Sequence, residues 1–242
     1  MRLPVCVLSA VPFAAQAAHP LFTEDSFTQG KGGWQFELNG DRNVARHTGD
    51  ADALVNTTLT WGAIDAVDLY ANANWLREAG DGAHSEGTGD TTLGFKWRVF
   101  ERDGVSLALR PSVALQTGSE SVRRAPDPGL YALELVAGWT TGNWQFFGNL
   151  GAAQQYRDDY QRKAGWNAAG SAALSISDSL RLVCELVWNH NPGVVQDLRP
   201  AYATAGIVYS PSSALDLDFG LRSGLNDAAF RSSFGLGLTL HW

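Results

Sequence analysis

The histidines and paired carboxylates are the first places to look for chemistry in this chain. A serine nucleophile needs a histidine within hydrogen-bond reach, itself oriented by an Asp or Asn. The five histidines are His19 near the start, His47, His84 and His190 in polar connecting segments, and His241 beside the last residue. None shares an outward strand position with a serine, so no catalytic residue is assigned. An enzyme of the lipid-hydrolase type would have to build a loop site from His47, His84 or His190 with Asp50, Asp81 or Asp90. Asp216 and Asp218 stand at i, i+2, which places both carboxyls on one side of a strand as an acid/base pair would require, although nearby arginines offer ordinary ion pairing. Asp81, Glu86 and Asp90 lack the spacing of an established calcium loop, and no metal site or cofactor is assigned.

The composition bounds what these residues can serve. The chain has 242 residues, 45% hydrophobic and 18% charged, with 18 Lys+Arg against 25 Asp+Glu and a net charge of -7. Its pI near 5.1 and three scattered lysines, Lys31, Lys96 and Lys163, exclude a phosphate-binding surface, so no nucleic-acid partner is expected. The two cysteines, Cys6 and Cys184, make no disulfide framework. The apolar run Leu3 to Ala15 is too short to span a bilayer as a helix. Arg2 before it and Ala15-Gln16-Ala17 after it have the form of a signal peptide over residues 1–17, cleaved after Ala17. An exported chain with a mean hydropathy of -0.14 is then either a soluble globular domain or a transmembrane β-barrel, whose apolar residues are diluted by alternation.

The elements that must position these residues are strands. Phe234, Leu236, Leu238, Leu240 and Trp242 share one face and Gly235, Gly237, Thr239 and His241 the other. Leu215/Leu217/Phe219/Leu221 against Asp216/Asp218/Gly220/Arg222 repeats the pattern, as does Leu180/Leu182/Cys184/Leu186/Trp188 against Arg181/Val183/Glu185/Val187/Asn189. Further strands begin near Trp34, Ala53, Val67, Thr91, Val105, Leu130, Trp144, Trp166 and Ala201. The count is about twelve, each about ten residues long, the length a tilted strand needs to cross a membrane.

The connections alternate in length. Tight turns at Gly62 to Ala66, Phe100 to Gly104, Thr140 to Asn143, Ser177 to Ser179 and Ser210 to Ala214 alternate with polar segments at Gly40 to Asp52, Arg77 to Asp90, Gly118 to Gly129, Arg157 to Gly165 and His190 to Arg199. Only Leu225 to Ala229 is short where a long one is due. Short turns at one end and loops at the other describe an all-β, antiparallel up-and-down barrel of the bacterial outer membrane, spanning 34–242 with both termini in the periplasm. The nine tryptophans fit this. Trp34, Trp61, Trp97, Trp139, Trp144 and Trp242 fall on the apolar phase at the turn end, and Trp75, Trp166 and Trp188 at the loop end, as two girdles at the lipid boundary. Outer-membrane lipids are the implied partner of this face, with Cys184 among its apolar residues.

Three stretches carry a family resemblance. The last strand, ending in the aromatic Trp242, resembles the signal read by the outer-membrane assembly machinery, which is therefore an expected partner. Ala18-His19-Pro20-Leu21-Phe22-Thr23-Glu24-Asp25, followed by Thr28-Gln29-Gly30-Lys31-Gly32 and Trp34-Gln35-Phe36-Glu37, resembles the outer-membrane transporter family named for the MetA pathway of phenol degradation. So do Gly87-Thr88-Gly89-Asp90 with Leu93-Gly94-Phe95-Lys96-Trp97-Arg98, and Leu215 to Arg222 with Gly224-Leu225-Asn226. The resemblance implies an outer-membrane barrel that moves small molecules, aromatic compounds by the family's name, and brings no catalytic residues.

With the apolar phase toward lipid, the other phase lines a lumen. It carries Glu37, Asp68, Glu134, Glu185, Asp216 and Asp218 against Lys96, Arg98, Arg110, Arg181, Arg222 and Arg231, two signs in balance. Asp68 and Arg98 are expected near the periplasmic end of adjacent strands, and Arg110 is expected to face Glu134 at mid-height. These charges either tie strands together across a partly desolvated interior or form a constriction with a transverse field. The small inward residues Ala132, Gly138, Gly151, Ala153, Ala169, Ser171 and Ala173 suggest room for a narrow polar path. Residues 18–33 form a periplasmic tail or a plug. The function expected is a passive channel or transporter for a small-molecule permeant. The alternatives are an outer-membrane enzyme and a structural or adhesive barrel with an occluded lumen.

Overall fold

The computed structural model describes residues 19–80, 83–122, 129–155, 163–190 and 198–242. The signal peptide expected at 1–17 and Asp81 of the loop carboxylate group lie outside them. Alternation builds thirteen strand segments: β1 (Trp34–Val44), β2 (Ala51–Ile64), β3 (Val67–Gly80), β4 (Ala83–Thr88), β5 (Thr91–Arg102), β6 (Val105–Leu115), β7 (Leu130–Thr141), β8 (Trp144–Gln155), β9 (Lys163–Ser177), β10 (Leu180–His190), β11 (Ala201–Ser212), β12 (Leu215–Gly224) and β13 (Ser232–His241). All pairings are antiparallel between sequence neighbours, except that β4 and β5 both pair with β3 and not with each other, and β1 pairs with β13 from Gln35↔His241 to Val44↔Ser232, so the sheet closes. The barrel has twelve wall positions. β4 and β5 share one of them, because β3 pairs with β5 through Val67 to Asn72 and with β4 through Trp75 to Gly80.

Two connections differ from the sequence reading. The segment Gly40 to Asp52 is mostly wall, since β1 runs on to Val44 and β2 starts at Ala51. The polar stretch Arg77 to Asp90 is a strand extension rather than a loop: β3 continues to Gly80, and β4 returns beside it. In both places polar residues alternate on a wall that has risen above the apolar belt, so hydrophobic periodicity no longer marks the strand. The tight turns are where expected. Asp103 and Gly104, with φ of 52° and 79°, make the two-residue turn between β5 and β6 whose positive φ values suit the strands' twist.

The burial pattern inverts that of a soluble protein. Leu59, Leu69, Phe95, Leu133, Leu150, Leu186, Phe219, Leu221 and Leu236 are exposed on the outer wall, whereas Thr58, Asn72, Asn149, Thr204 and Thr239 are buried inside. Eight of the nine tryptophans are exposed on the outer face. The ninth, Trp34, is half-buried because its ring is stacked between Trp61 at 6.0 Å and Trp242 at 6.3 Å. Cys184 is exposed on the same wall.

Candidate functional site

The lumen is occupied by the chain's own beginning. Residues 19–33 form no regular element, and they run around the interior making one contact after another with the wall. At the start, His19 bonds Asp218 of β12 and Asp41 of β1, the latter at 3.3 Å, and Arg222 of β12 bonds Asp41 and, at 2.7 Å, the carbonyl of Pro20. Leu21 packs on the buried Ala173, Val183 and Val208. At mid-height Glu185 of β10 accepts the backbone N–H of Phe22 at 2.6 Å and the hydroxyl of Thr23 at 2.7 Å. Glu24 then takes Lys96 of β5 at 2.9 Å and Arg110 of β6 at 3.5 Å.

From there the segment descends to the turn end. Ser26 bonds Ser106 of β6 at 2.6 Å, and Phe27 meets Phe147 of β8 edge-on at 5.6 Å. The N–H of Gln29 reaches both carboxylate oxygens of Asp68 in β3 at 3.1 Å. Gly32 donates to the carbonyl of Gly62 in β2 at 2.7 Å, and Gly62 donates back to Gly33 at 2.8 Å. The chain then enters β1.

This path explains the wall charges. Unpaired backbone and charged groups are costly in a desolvated interior, so a segment whose internal hydrogen bonds are few, such as Phe27 to Asp25 and Gly33 to Gly30, must find the rest on the wall. Beside it remains a cavity of about 20 Å³ lined by Glu24, Gln29, Glu37, Tyr70, Lys96 and Arg110, room for about one water. Arg110 also meets Glu134 at 3.5 Å, the facing pair expected from the sequence, and lies over the ring of Tyr70 at 4.4 Å. Two groups of the segment itself are electrostatically displaced. Burial works against the charged form of His19, but hydrogen bonds and charge from Asp218 and Asp41 outweigh it and raise its pKa above 6.5. Burial raises the pKa of Glu24 above 4.5 against the opposing pull of Arg110 and Lys96.

The remaining expected lumen residues separate into two groups. Glu37 is buried and faces the cavity. Arg98 is near the turn end on the strand next to Asp68, but its partners are Glu101 at 3.2 Å and the carbonyl of Asp65 at 3.1 Å. Asp216 sits at the same end with Arg181 at 3.5 Å and His241 at 3.3 Å. Arg231 lies exposed in the bend before β13, at the loop rim, because that strand starts only at Ser232.

The family model described as "Putative MetA-pathway of phenol degradation" matches residues 17–242. The chain belongs to this family. In fold, this MetA-pathway family member is similar to an outer membrane channel from Pseudomonas putida F1, with a TM-score of 0.69 at 12% identity over 90% of this chain and 98% of that one. It is also similar to the NanC porin, with a TM-score of 0.61 at 7% identity over 85% and 98% of the two chains. A KdgM porin in complex with disordered oligogalacturonate follows, at 0.58 and 9% identity over 85% and 98%. No curated protein matches the chain in sequence. The family member is a bacterial outer-membrane barrel.

The sequence offers residues 18–33 as a tail or a plug without assigning a role to any one of them. His19, Phe22, Thr23, Glu24, Ser26 and Gln29 lie in a stretch with no period, and Asp41 fell in a presumed loop. Adding Asp41 and removing Arg231 turns the balanced charge set acidic: Glu37, Asp41, Asp68, Glu134, Glu185, Asp216 and Asp218 against Lys96, Arg98, Arg110, Arg181 and Arg222. The room expected beside Gly138 is taken as well, since a Cβ there would meet the hydroxyl of Ser26.

Proposed function

We propose that this barrel is a passive channel for small molecules whose resting state is closed by residues 19–33. The observation that carries the reading is the way the segment is held. Every attachment from His19 to Gln29 is a hydrogen bond, an ion pair, a ring contact or, at Leu21, apolar packing, and none is a strand pairing, so the segment leaves the lumen without any wall strand being broken. The wall behind it is polar, and three of the solved barrels that share the fold are channels or porins by name.

A lipid hydrolase is less well supported. His19 and His241 are bonded to carboxylates in the interior, away from the lipid face such an enzyme would use. A structural barrel would have no use for a closing segment held by single bonds rather than by strand pairing.

The test compares the mature chain with a variant lacking residues 19–32 in liposome swelling and planar-bilayer conductance. Low permeability of the mature chain and a large increase in the variant are expected. An impermeable variant with the heat-modifiable mobility of a folded barrel overturns the reading.

A further inference from the structure

The polar contacts of the closing segment leave one side chain to explain, the ring of Phe22. Its environment differs from that of Leu21, which simply fills an aliphatic cluster. The Arg222 guanidinium lies over the Phe22 ring, 4.4 Å from its centroid. The Tyr202 ring stands beside it at 6.0 Å, tilted by 39°, and is backed by Phe230, stacked on Tyr202 at 4.6 Å and 14°. Val187 and Ala229 complete the apolar surround. The N–H next to the ring is taken by Glu185. A cation over one ring face, an aromatic beside it and a carboxylate aimed at an adjacent donor make up a recognition site for an aromatic group with an N–H or O–H.

The parts of this slot do not depend on Phe22. Glu185 keeps the hydroxyl of Thr204 at 2.9 Å, Arg222 keeps Asp41, and Tyr202 keeps Phe230, all of them wall or loop partners. The Arg222 Nε is buried without a hydrogen-bond partner among the described residues, so one donor in the slot is left over for a ligand acceptor. When the segment withdraws, a preorganised slot remains at the loop-end half of the lumen, where Arg222 and Tyr202 lie near the ends of β12 and β11.

We propose that Phe22 is a built-in occupant of a solute-binding site, and that small aromatic molecules bearing a hydrogen-bond donor compete with it for the slot formed by Arg222, Tyr202, Phe230 and Glu185. This rests on the reading that the segment leaves the lumen. It adds the place where a solute is held, the hydrogen-bond donor that the solute must carry and a cause for opening, since a solute that takes the slot removes one anchor of the closed state.

The probe is N-acetylphenylalaninamide, which reproduces the ring and its neighbouring N–H, with N-acetylcyclohexylalaninamide as the non-aromatic control. Binding is read by saturation-transfer NMR on the folded barrel in detergent micelles, with empty micelles as baseline. Phe22→Ala is expected to bind the aromatic probe about tenfold more tightly than the wild type, and to bind the cyclohexyl control about tenfold more weakly than the aromatic one, as loss of stacking and cation–π attraction implies. Glu185→Ala added to Phe22→Ala should weaken it again. If Phe22→Ala lacks heat-modifiable mobility, Phe22→Ser takes its place. Equal binding of the two probes, equal binding to wild type and variant, or no saturable binding above micelles overturns the site. A variant that binds the aromatic probe but carries no ion current overturns the channel reading and leaves the site standing.

Discussion

Glu185, midway along β10, captures Thr23 by its hydroxyl at 2.7 Å and by its backbone N–H, while its other oxygen holds Thr204 of the neighbouring strand at 2.9 Å. One carboxylate thus joins the closing segment to two strands of the wall. The same arrangement recurs at Asp68 with Gln29, and at Asp218 with His19. Carboxylates suit this task because each accepts several donors, and the segment's N–H groups need acceptors just as its carbonyls at Pro20 and Asp25 need the donors Arg222 and Lys96.

Replacing Glu185 by Ala should therefore open the channel without weakening the barrel. Three hydrogen bonds from the segment are lost, each to a charged acceptor, and a net cost of about 2 kcal/mol shifts the closed state by roughly 30-fold. Single-channel recording should show a higher open probability with unchanged heat-modifiable mobility. An open probability equal to that of the wild type would mean that Glu185 is not an anchor.

Closure should tighten in acid and loosen in alkali. His19 faces the carboxylates of Asp218 and Asp41, with Arg222 on Asp41, and its pKa is raised above the 6.5 of a free histidine. A group whose docked pKa is raised stabilises the docked state fully below the free value, and that contribution is lost as pH rises through the raised one. Glu24 has the same sign, its pKa being raised above 4.5, so its contribution fades from the lower end of the range. Open probability should climb as pH rises from about 4.5 through and above 6.5, and His19→Gln should flatten the upper part of that climb. A response that falls with pH contradicts the latch.

How much of this was legible beforehand follows from where period-two alternation operates. Strands inside the lipid belt, such as β12 with Leu215, Leu217, Phe219 and Leu221, announce themselves because lipid demands an apolar side chain at every second position. Inward residues could be named from the same phase, and Arg110 opposite Glu134 followed from register alone. The extensions Asp41 to Val44 and Ala83 to Thr88 stand above the belt, where nothing enforces alternation. The closing segment is less legible still: it is held by its wall partners, so its path cannot be read from its own residues. Its trace in the sequence was indirect, a set of inward charges larger than neighbouring strands need for each other.

Gly62 should be sensitive to any side chain. A Cβ there would land on the carbonyl oxygen of Gly30, at the root of the closing segment, and Gly62 also exchanges hydrogen bonds with Gly32 and Gly33. Gly62→Ala forces that root away at a cost of about 1–3 kcal/mol. Lys31 is exposed beside it, with its N–H on Asp65 at 3.1 Å. Limited trypsin digestion should cut after Lys31 faster in the variant than in the wild type. Equal cleavage rates would show that the root tolerates the methyl group.

The opened lumen should prefer cations. Among the described wall residues named above, seven carboxylates against five basic side chains leave an acidic interior once the segment, with Glu24 and Asp25, has withdrawn. In a salt gradient, the variant lacking residues 19–32 should give a reversal potential of cation-selective sign. Arg222→Gln in that background should shift it further the same way.

The seam between the first and last strands makes the final prediction. Trp34 donates to the carbonyl of Trp242 at 2.8 Å, Trp242 donates back at 3.1 Å, and their rings stack within 4° of parallel at the turn end. Closing a barrel removes its last open edge, so the residue that completes the closing pair carries weight in assembly beyond its own burial. Deleting Trp242 removes one backbone pairing and exposes Trp34, while every pair from Gln35↔His241 onward remains. The truncated chain should still reach a barrel in detergent, with slower appearance of the heat-modifiable band. In cells it should accumulate poorly in the outer membrane, because the terminal aromatic is also the expected signal for the assembly machinery. Normal accumulation with slow folding in detergent would assign Trp242 to closure alone.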